Sequence, residues 1–182
     1  MAATTRARIE VIEAHRLPSG SAESPAPGTT IDDRKPEPVE HTPSLSELVA
    51  SSGLRHVHIL AWRDLDDPEA GGSEIHAATV ARLWSEAGLE VTMRTSYAQG
   101  QPPETRRDGY RVIRRSGRHL VFPSTIASEL MGWHGPCDAI LEVWNGVPFF
   151  SPLWARRPHA VVIHHVHKDM WDLVVEPRLA SL

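Results

Sequence analysis

The sequence of 182 residues is poor in cysteine, in net positive charge and in long apolar runs. Its single cysteine, Cys137, cannot form an internal disulfide, so the chain suits a reducing compartment. A formal net charge of −4 gives no reason to expect nucleic-acid binding. No stretch approaches the roughly 18 uninterrupted apolar residues of a membrane span, and the charged N-terminus is unlike a secretory signal. We therefore expect a cytoplasmic protein, either free in solution or peripheral at the inner face of the membrane.

Aromatic residues are absent from the first 61 positions, and six of the fifteen prolines lie within residues 1–43. A segment with so little apolar surface to bury cannot offset the conformational entropy lost on ordering. We therefore predict a disordered tail over residues 1–43. Residues 44–53, SLSELVASSG, are predicted to form a short helix or linker, because Ser44 and Glu47 have the spacing of a capping box.

From residue 54 to residue 182 the apolar pattern alternates between strand and helix periods. This order predicts an α/β fold with a Rossmann-like parallel sheet and helices on both faces. The six arginines of residues 106–118 are interpreted as a solvated edge or as a contact for phosphorylated or lipid-linked substrates. Strands are predicted over 56–62, 89–95, 137–145 and 159–167, an exposed or edge strand over 109–117, and helices over 73–88 and 122–135.

The helix predicted over residues 73–88 has a defined start and end in the sequence. Ser73 is the expected N-cap, and Gly88 is the expected C′ residue. The face predicted to be buried consists of Ile75, Ala78, Leu83 and Ala87.

Three predicted strands run into loops that are richer in polar residues and glycine than a simple turn requires: EAGGSE, WNGVPFF and HHVHKDMW. Because parallel strands present their carboxyl ends at one edge of a sheet, we expect these loops to form a site together. Arg63 and Asp64 leave the first strand there, either as ligand contacts or as a surface ion pair. Asn145 either hydrogen-bonds a sugar or polyol hydroxyl or serves a turn.

Gly71 and Gly72 stand directly before the first predicted helix of this region. Since glycine has no Cβ, their backbone N–H groups can approach the oxygens of a diphosphate at the helix N-terminus. Neither the dinucleotide fingerprint GxGxxG nor the Walker lysine is present. The alternative interpretation is a flexible turn that only starts the helix, and the spacing leaves both open.

The last predicted strand is dense in histidine. An imidazole at its carboxyl end suits a proton shuttle or a ligand for a substrate hydroxyl. A zinc site formed by His165 and His167 with Asp169 would instead favour a small metal hydrolase, but neither HExxH nor a cysteine pair accompanies it. We therefore predict no bound metal. His56 and His58 on the first strand are interpreted as hydrogen-bonded core histidines.

Five segments occur in the order seen in the N-terminal domain of family 4 glycosyltransferases, which the chain resembles over about residues 55–180. They are RDLDDPEAGGSEIHA, AGLEVTMRT, DGYRVIRRSGR, DAILEVWNGVPFFSPLW and HAVVIHHVHKDMW. The resemblance implies a retaining GT-B hexosyltransferase without metal or cofactor. Its donor would be a nucleotide-sugar, and its acceptor a sugar, a polyol or a lipid-linked glycan.

The resemblance also implies roles for individual residues. Gly71 and Gly72, with Ser73 beside them, would lie against the diphosphate of the donor. The catalytic histidine near the transferred sugar would be His165, or His164 in the competing alignment. In a complete enzyme the substrate contacts would come from Glu74 and Asn145, with Arg63 and Asp64 as further candidates.

The family's second Rossmann domain, which holds most of the nucleotide-sugar and a paired-glutamate E-x7-E motif, has no counterpart in this sequence. We therefore expect the chain to be the acceptor-side half of such an enzyme, with a separate donor domain as its partner and little or no turnover alone. The alternative is a non-catalytic module or remnant that binds a sugar or nucleotide. It predicts ligand binding without transfer, even when a donor domain is supplied.

Overall fold

The structure is a computed structural model, and it describes residues 42–164. The tail predicted over residues 1–43 lies almost wholly outside the described residues, as do His165, His167 and Asp169. Residues 44–164 belong to one unit of the chain. Within the described range the order of helices and strands is α1 Leu45–Ser52, β1 His56–Leu60, α2 Gly72–Glu86, β2 Glu90–Thr95, β3 Glu104–Arg107, β4 Tyr110–Arg114, α3 Val121–Met131, β5 Ala139–Trp144, α4 Ser151–Trp154 and β6 His159–Ile163.

The short helix predicted after the tail is present as α1. Its capping box is formed as the spacing indicates: the Ser44 N–H donates to the Glu47 carboxylate at 2.7 Å, and the Glu47 N–H donates to Ser44 Oγ at 3.3 Å. Gly53 ends the helix in the left-handed conformation, with φ of +72°. In the described part of the chain, no helix is both long enough and apolar enough to cross a membrane.

The six strands form one sheet in the order β3-β4-β2-β1-β5-β6. Only the β3–β4 pair is antiparallel. Read across the sheet, the five parallel strands are β4, β2, β1, β5 and β6. They are the third, second, first, fourth and fifth parallel strands of the chain, which is the order of a doubly wound sheet. The direction of winding reverses between β1 and β5. The predicted α/β class with a mainly parallel sheet is therefore confirmed, and the reversal marks the usual ligand position at the carboxyl ends of these two strands.

Helices cover both faces of the sheet because successive side chains of a strand point to opposite faces. On one face Val57 and Ile59 of β1 belong to the same buried cluster as Ala77 and Ala81 of α2. On the other face Leu60 packs in a second cluster that includes α3 and the loop after β5, with Ile140, Val121 and Phe149. The two clusters hold α2 and α3 on opposite sides of β1.

The start and the buried face of α2 differ from prediction. Gly71, not Ser73, is the N-cap, and Ser73 lies buried within the first turn. Ile75, expected in the core, is 57% exposed, and Leu83 is also exposed. The buried positions along the helix body are Ala77, Ala78 and Ala81, of which only Ala78 was predicted. Small alanines let the helix lie close to the sheet, and this requirement outweighs the burial of larger side chains.

The segment over residues 109–117 is not an exposed or edge strand. It forms β4, which lies between β2 and the additional strand β3 and is largely buried. The short sequence ETRR of β3 has no apolar alternation and gave no strand signal. Four of the six arginines of residues 106–118 form ion pairs, namely Arg107, Arg111, Arg114 and Arg118, whereas Arg106 and Arg115 are exposed.

Candidate functional site

Two of the three loops expected to converge do meet at the point where the sheet reverses its winding. The Asn145 amide, directly after β5, donates to Ser73 Oγ at 2.6 Å and to Glu74 Oε1 at 3.3 Å. Arg63, which follows β1, donates from Nε to Glu74 Oε1 at 3.2 Å. We call Arg63, Gly71, Ser73, Glu74 and Asn145 the rim cluster. It joins the loop after β1, the start of α2 and the loop after β5.

Glu74 is the centre of the rim cluster, and its side chain is only 3% exposed. Its Oε2 accepts the Gly71 N–H at 2.8 Å and the Ser73 hydroxyl at 2.9 Å. Burial acts to raise the pKa of Glu74, but hydrogen bonds from Gly71 and Ser73 and the charge of Arg63 outweigh it and hold the pKa below its ordinary value of 4.5. The first turn of α2 therefore carries a carboxylate, an arrangement that the helix dipole favours.

The two glycines at the start of α2 are not required by the backbone or by packing. Gly71 has an extended conformation with φ of −134°, and Gly72 is helical with no positive φ. A Cβ at Gly72 would meet no atom within 4 Å, and one at Gly71 would meet only Glu74 Oε2 at 3.8 Å. By contrast, Gly146 in the loop after β5 has φ of +90°, where glycine is strongly favoured. The requirement of a turn for glycine therefore does not explain why Gly71 and Gly72 are both glycine.

The open space beside Gly72 adjoins backbone N–H groups at the helix start. The first intrahelical hydrogen bond runs from the Ile75 N–H to the Gly71 carbonyl oxygen at 3.1 Å. The N–H groups of Gly72 and Ser73 precede this bond and lie outside the helical ladder. They have the position from which helix N-termini bind phosphate oxygens.

His164, the first residue of the third predicted loop, lies beside the same helix. It follows β6 directly, and its N–H donates to the Trp144 carbonyl oxygen at 3.3 Å. Its ring lies 4.8 Å, centroid to centroid, from the ring of His76 in the first turns of α2, at an interplanar angle of 74°. Of the two candidate catalytic histidines, His164 thus adjoins α2, whereas His165 lies outside the described residues.

Asp64 belongs to a different network from the rim cluster. Its side chain is fully buried, and its carboxylate accepts from Arg107 at 2.8 Å and from Arg114. Asp66 contacts the same two arginines. These ion pairs join the loop after β1 to β3 and β4, so Asp64 anchors that loop and has no carboxylate oxygen turned to the rim cluster.

Glu142 in β5 supports the site and was not predicted. It is 1% exposed, and its carboxylate accepts the Phe149 N–H at 2.7 Å and the Ser151 N–H at 2.9 Å. These bonds fix residues 149–151, which close the loop that begins at Asn145. A charged residue in the middle of the apolar pattern AILEVW was the available signal, since a buried carboxylate requires donors nearby.

The structure thus brings Arg63, Gly71, Ser73, Glu74 and Asn145 into contact at one end of α2, with Gly72 exposed beside them. No model of a known protein family matches this chain, and a comparison with curated protein sequences also found no match. The function therefore has to be argued from the sequence motifs and from the chemistry of the rim cluster.

Proposed function

We propose that this chain is the acceptor-side domain of a retaining glycosyltransferase of the family 4 type. It would transfer a hexose from a nucleotide-sugar to a sugar, a polyol or a lipid-linked glycan, without metal or cofactor in the transfer step. The observation that carries the proposal is the glycine pair at the start of α2. At Gly72 the backbone has no positive φ, and a Cβ would meet no neighbouring atom, so neither conformation nor packing requires glycine. The residue lies at the edge of the sheet where doubly wound sheets bind ligands.

In the proposed enzyme the N–H groups of Gly72 and Ser73 would donate to the diphosphate as it leaves the sugar. Fixed donors aimed at developing negative charge are an effective form of catalysis, because they need no reorganisation during the reaction. Glu74 is itself an anion at this helix start, but Arg63 lies 3.2 Å from its carboxylate and offsets its charge. Arg63 also pairs with Glu69 at 3.2 Å, and Glu69 pairs with Arg118 at 2.6 Å, so two guanidinium groups offset the two carboxylates.

The remaining residues of the rim would contact the sugars. Asn145 directs its amide N–H groups at Ser73 and Glu74, so its carbonyl oxygen is the group that would accept a substrate hydroxyl. His164 or His165 would hydrogen-bond the transferred hexose or move a proton near it. Glu74 accepts hydrogen bonds from Gly71, Arg63 and Asn145 and so fixes their positions. It would thereby hold the phosphate-binding N–H groups and the sugar-binding carbonyl oxygen of Asn145 in register.

The test is a nuclear magnetic resonance titration of the full chain with UDP and with GDP. We expect shifts confined to the amides at the start of α2 and a dissociation constant of about 1 mM, or about −4 kcal/mol. Gly72→Ala should weaken binding about tenfold, or about 1.4 kcal/mol, because its methyl group enters the ligand space. The same change should leave the thermal midpoint unchanged or higher, since alanine suits a helical position better.

The matched control is Gly117→Ala. Gly117 also lacks a positive φ, and a Cβ there would likewise meet nothing within 4 Å. This variant should bind both nucleotides as the parent chain does. Equal binding by the parent chain and Gly72→Ala would refute the diphosphate role, and a fall in the thermal midpoint of Gly72→Ala would restore the interpretation of a turn.

A further inference from the structure

A second group of polar side chains lies buried between β1, α3 and the loop that precedes β5. It consists of His58, Glu129, His134 and Cys137, which are 2%, 6%, 5% and 7% exposed. We call it the histidine–cysteine cluster. Ligand-type atoms of His58, Glu129 and Cys137 all lie within 4.8 Å of one another. His134 joins them, with its Nδ1 2.8 Å from Glu129 Oε1.

Burying these groups together is costly unless they bind something. Nδ1 of His58 lies 2.9 Å from both oxygens of Glu129. A buried ion pair of this kind is often no more stabilising than apolar residues of equal volume. Packing alone therefore gives no reason for four such side chains at one place.

We propose that the histidine–cysteine cluster is a structural site for a divalent ion of the zinc class. His58, Glu129 and Cys137 supply one imidazole, one carboxylate and one thiolate, and His134, which contacts Glu129 but lies outside that group of three, would supply the fourth ligand of a tetrahedral zinc. A tetrahedral ion with bonds of about 2.1 Å holds its ligand atoms about 3.4 Å apart. The contacts of Glu129 with the two histidines, at 2.8 and 2.9 Å, would need to open by only about half an ångström.

The local sequence places three of the four ligands on one short segment, ELMGWHGPC, over residues 129–137. Gly132 and Gly135 have φ of +68° and +103°, so the chain turns at two positions that favour glycine. His58 comes from the central strand of the sheet. An ion here would tie the α3–β5 loop to β1, much as a disulfide would in an oxidising compartment.

With His134 as the fourth ligand, all four positions of the ion would be filled by protein, which is the arrangement of a structural site. It lies where the chain enters β5, whereas the rim cluster lies where the chain leaves that strand. A surface cavity of about 560 Å³, lined in part by His56, His134 and Gly135, gives the ion a route to the cluster. The inference is therefore independent of the proposed transfer reaction.

The experiment is a titration of tag-free, chelator-treated full chain with Co²⁺, followed by displacement with Zn²⁺. We expect one ion per chain, with the visible bands of tetrahedral cobalt and a near-ultraviolet band from the Cys137 thiolate. Zn²⁺ should abolish both sets of bands and raise the thermal midpoint of the parent chain. Cys137→Ser should remove the near-ultraviolet band and weaken binding by at least about a hundredfold, and His134→Gln should weaken it by at least about tenfold.

Two controls separate this site from other histidines. His56→Gln removes a histidine that lines the same cavity but is not in the cluster, and it should leave binding unchanged. The double variant His165→Gln/His167→Gln tests the histidine run of the sequence and should also bind as the parent does. Binding that survives Cys137→Ser but not the double variant would overturn the proposal. So would the absence of any effect of Zn²⁺ or Co²⁺ on absorption and on the thermal midpoint, since the cluster would then hold only protons.

Discussion

At the residue scale, Glu74 determines which backbone N–H groups at the start of α2 are already hydrogen-bonded. Its carboxylate accepts the Gly71 N–H, which is the bond from the N-cap backbone to the N3 side chain in a capping box. Ser73 donates to the same carboxylate and accepts from Asn145. The glutamate thus fixes the loop after β1 and the loop after β5 at once, while the N–H groups of Gly72 and Ser73 stay outside the helical ladder.

Replacing Glu74 by glutamine should remove a contribution to stability that depends on pH in a defined direction. Because the folded-state pKa of Glu74 lies below 4.5, its charge contributes stability that is fully present above that pH and is lost as the pH falls through the lower folded value. The gap in urea midpoint between the parent chain and Glu74→Gln should therefore be constant near neutrality and close in acid. The measurement is a series of urea unfolding curves from pH 7 downward.

The control for this series is Glu86→Gln on the same helix. Glu86 forms an exposed pair with Arg82 at 2.7 Å, and such pairs contribute less than about 1 kcal/mol. This variant should follow the parent chain at every pH. A gap for Glu74→Gln that widens in acid would show that the carboxylate is not stabilised by its partners.

The sequence allowed the glycine pair, Glu74 and Asn145 to be named as candidates, because each follows or precedes an apolar run at a strand end. It did not allow Gly71 to be identified as the N-cap in place of Ser73. Cap assignment depends on which side chain reaches the free N–H, and here a glutamate three residues ahead does so. The Ser73 hydroxyl, the expected cap, instead donates to Glu74 and accepts from Asn145, which is distant in sequence.

At the element scale, the loop after β1 is held by charge rather than by apolar packing. Asp64 and Asp66 both bind Arg107 of β3 and Arg114 of β4. Asp64 and Arg114 are at most 1% exposed in their side chains, whereas Asp66 is 34% exposed. The Asp64–Arg114 pair is therefore desolvated, whereas the Asp66 carboxylate remains in contact with solvent. The two aspartates should differ in their contribution to stability.

Asp64→Asn should destabilise the chain by about 3 kcal/mol, because it places an amide donor against buried guanidinium groups. Asp66→Asn is the matched control, with the same partners and the same chemical change. It should cost less than about 1 kcal/mol, since solvent screens the exposed pair. Urea unfolding of both variants measures the two values, and equal losses would count against burial as the cause.

These ion pairs also show why one strand was missed. The strand β3 consists of charged and polar residues, ETRR, so its sequence has no apolar alternation. Its place in the sheet depends on pairing with β4, as in the register Arg107↔Tyr110, and on the aspartates of a loop more than 35 residues earlier. The strands β1 and β5 were predictable because their apolar runs contribute to both buried clusters, and β2 because Val91 and Met93 alternate toward one of them.

At the scale of the whole described chain, the order of parallel strands determines where the loops meet. The end of β1 is level with the ends of its neighbours, since Leu60 pairs with Arg94 on one side and Glu142 on the other. The alternation of strands and helices in the sequence was enough to predict a parallel sheet and a common edge for these loops. The histidine–cysteine cluster was not predictable in the same way, because His58 lies more than 70 residues before its partners.

The described residues contain one sheet, so the loops at the carboxyl ends of its parallel strands can contact a ligand from one side only. A diphosphate held from one side only makes few contacts, so the chain alone should bind a nucleotide-sugar weakly and show no measurable transfer. Adding a separately produced donor domain of the family 4 type should tighten nucleotide-sugar binding at least about tenfold, because a second set of contacts then acts on the same ligand. Gly72→Ala should abolish most of that gain. Tightened binding without transfer to any sugar, polyol or lipid-linked acceptor would favour a binding module, and no tightening at all would argue against a site shared between two domains.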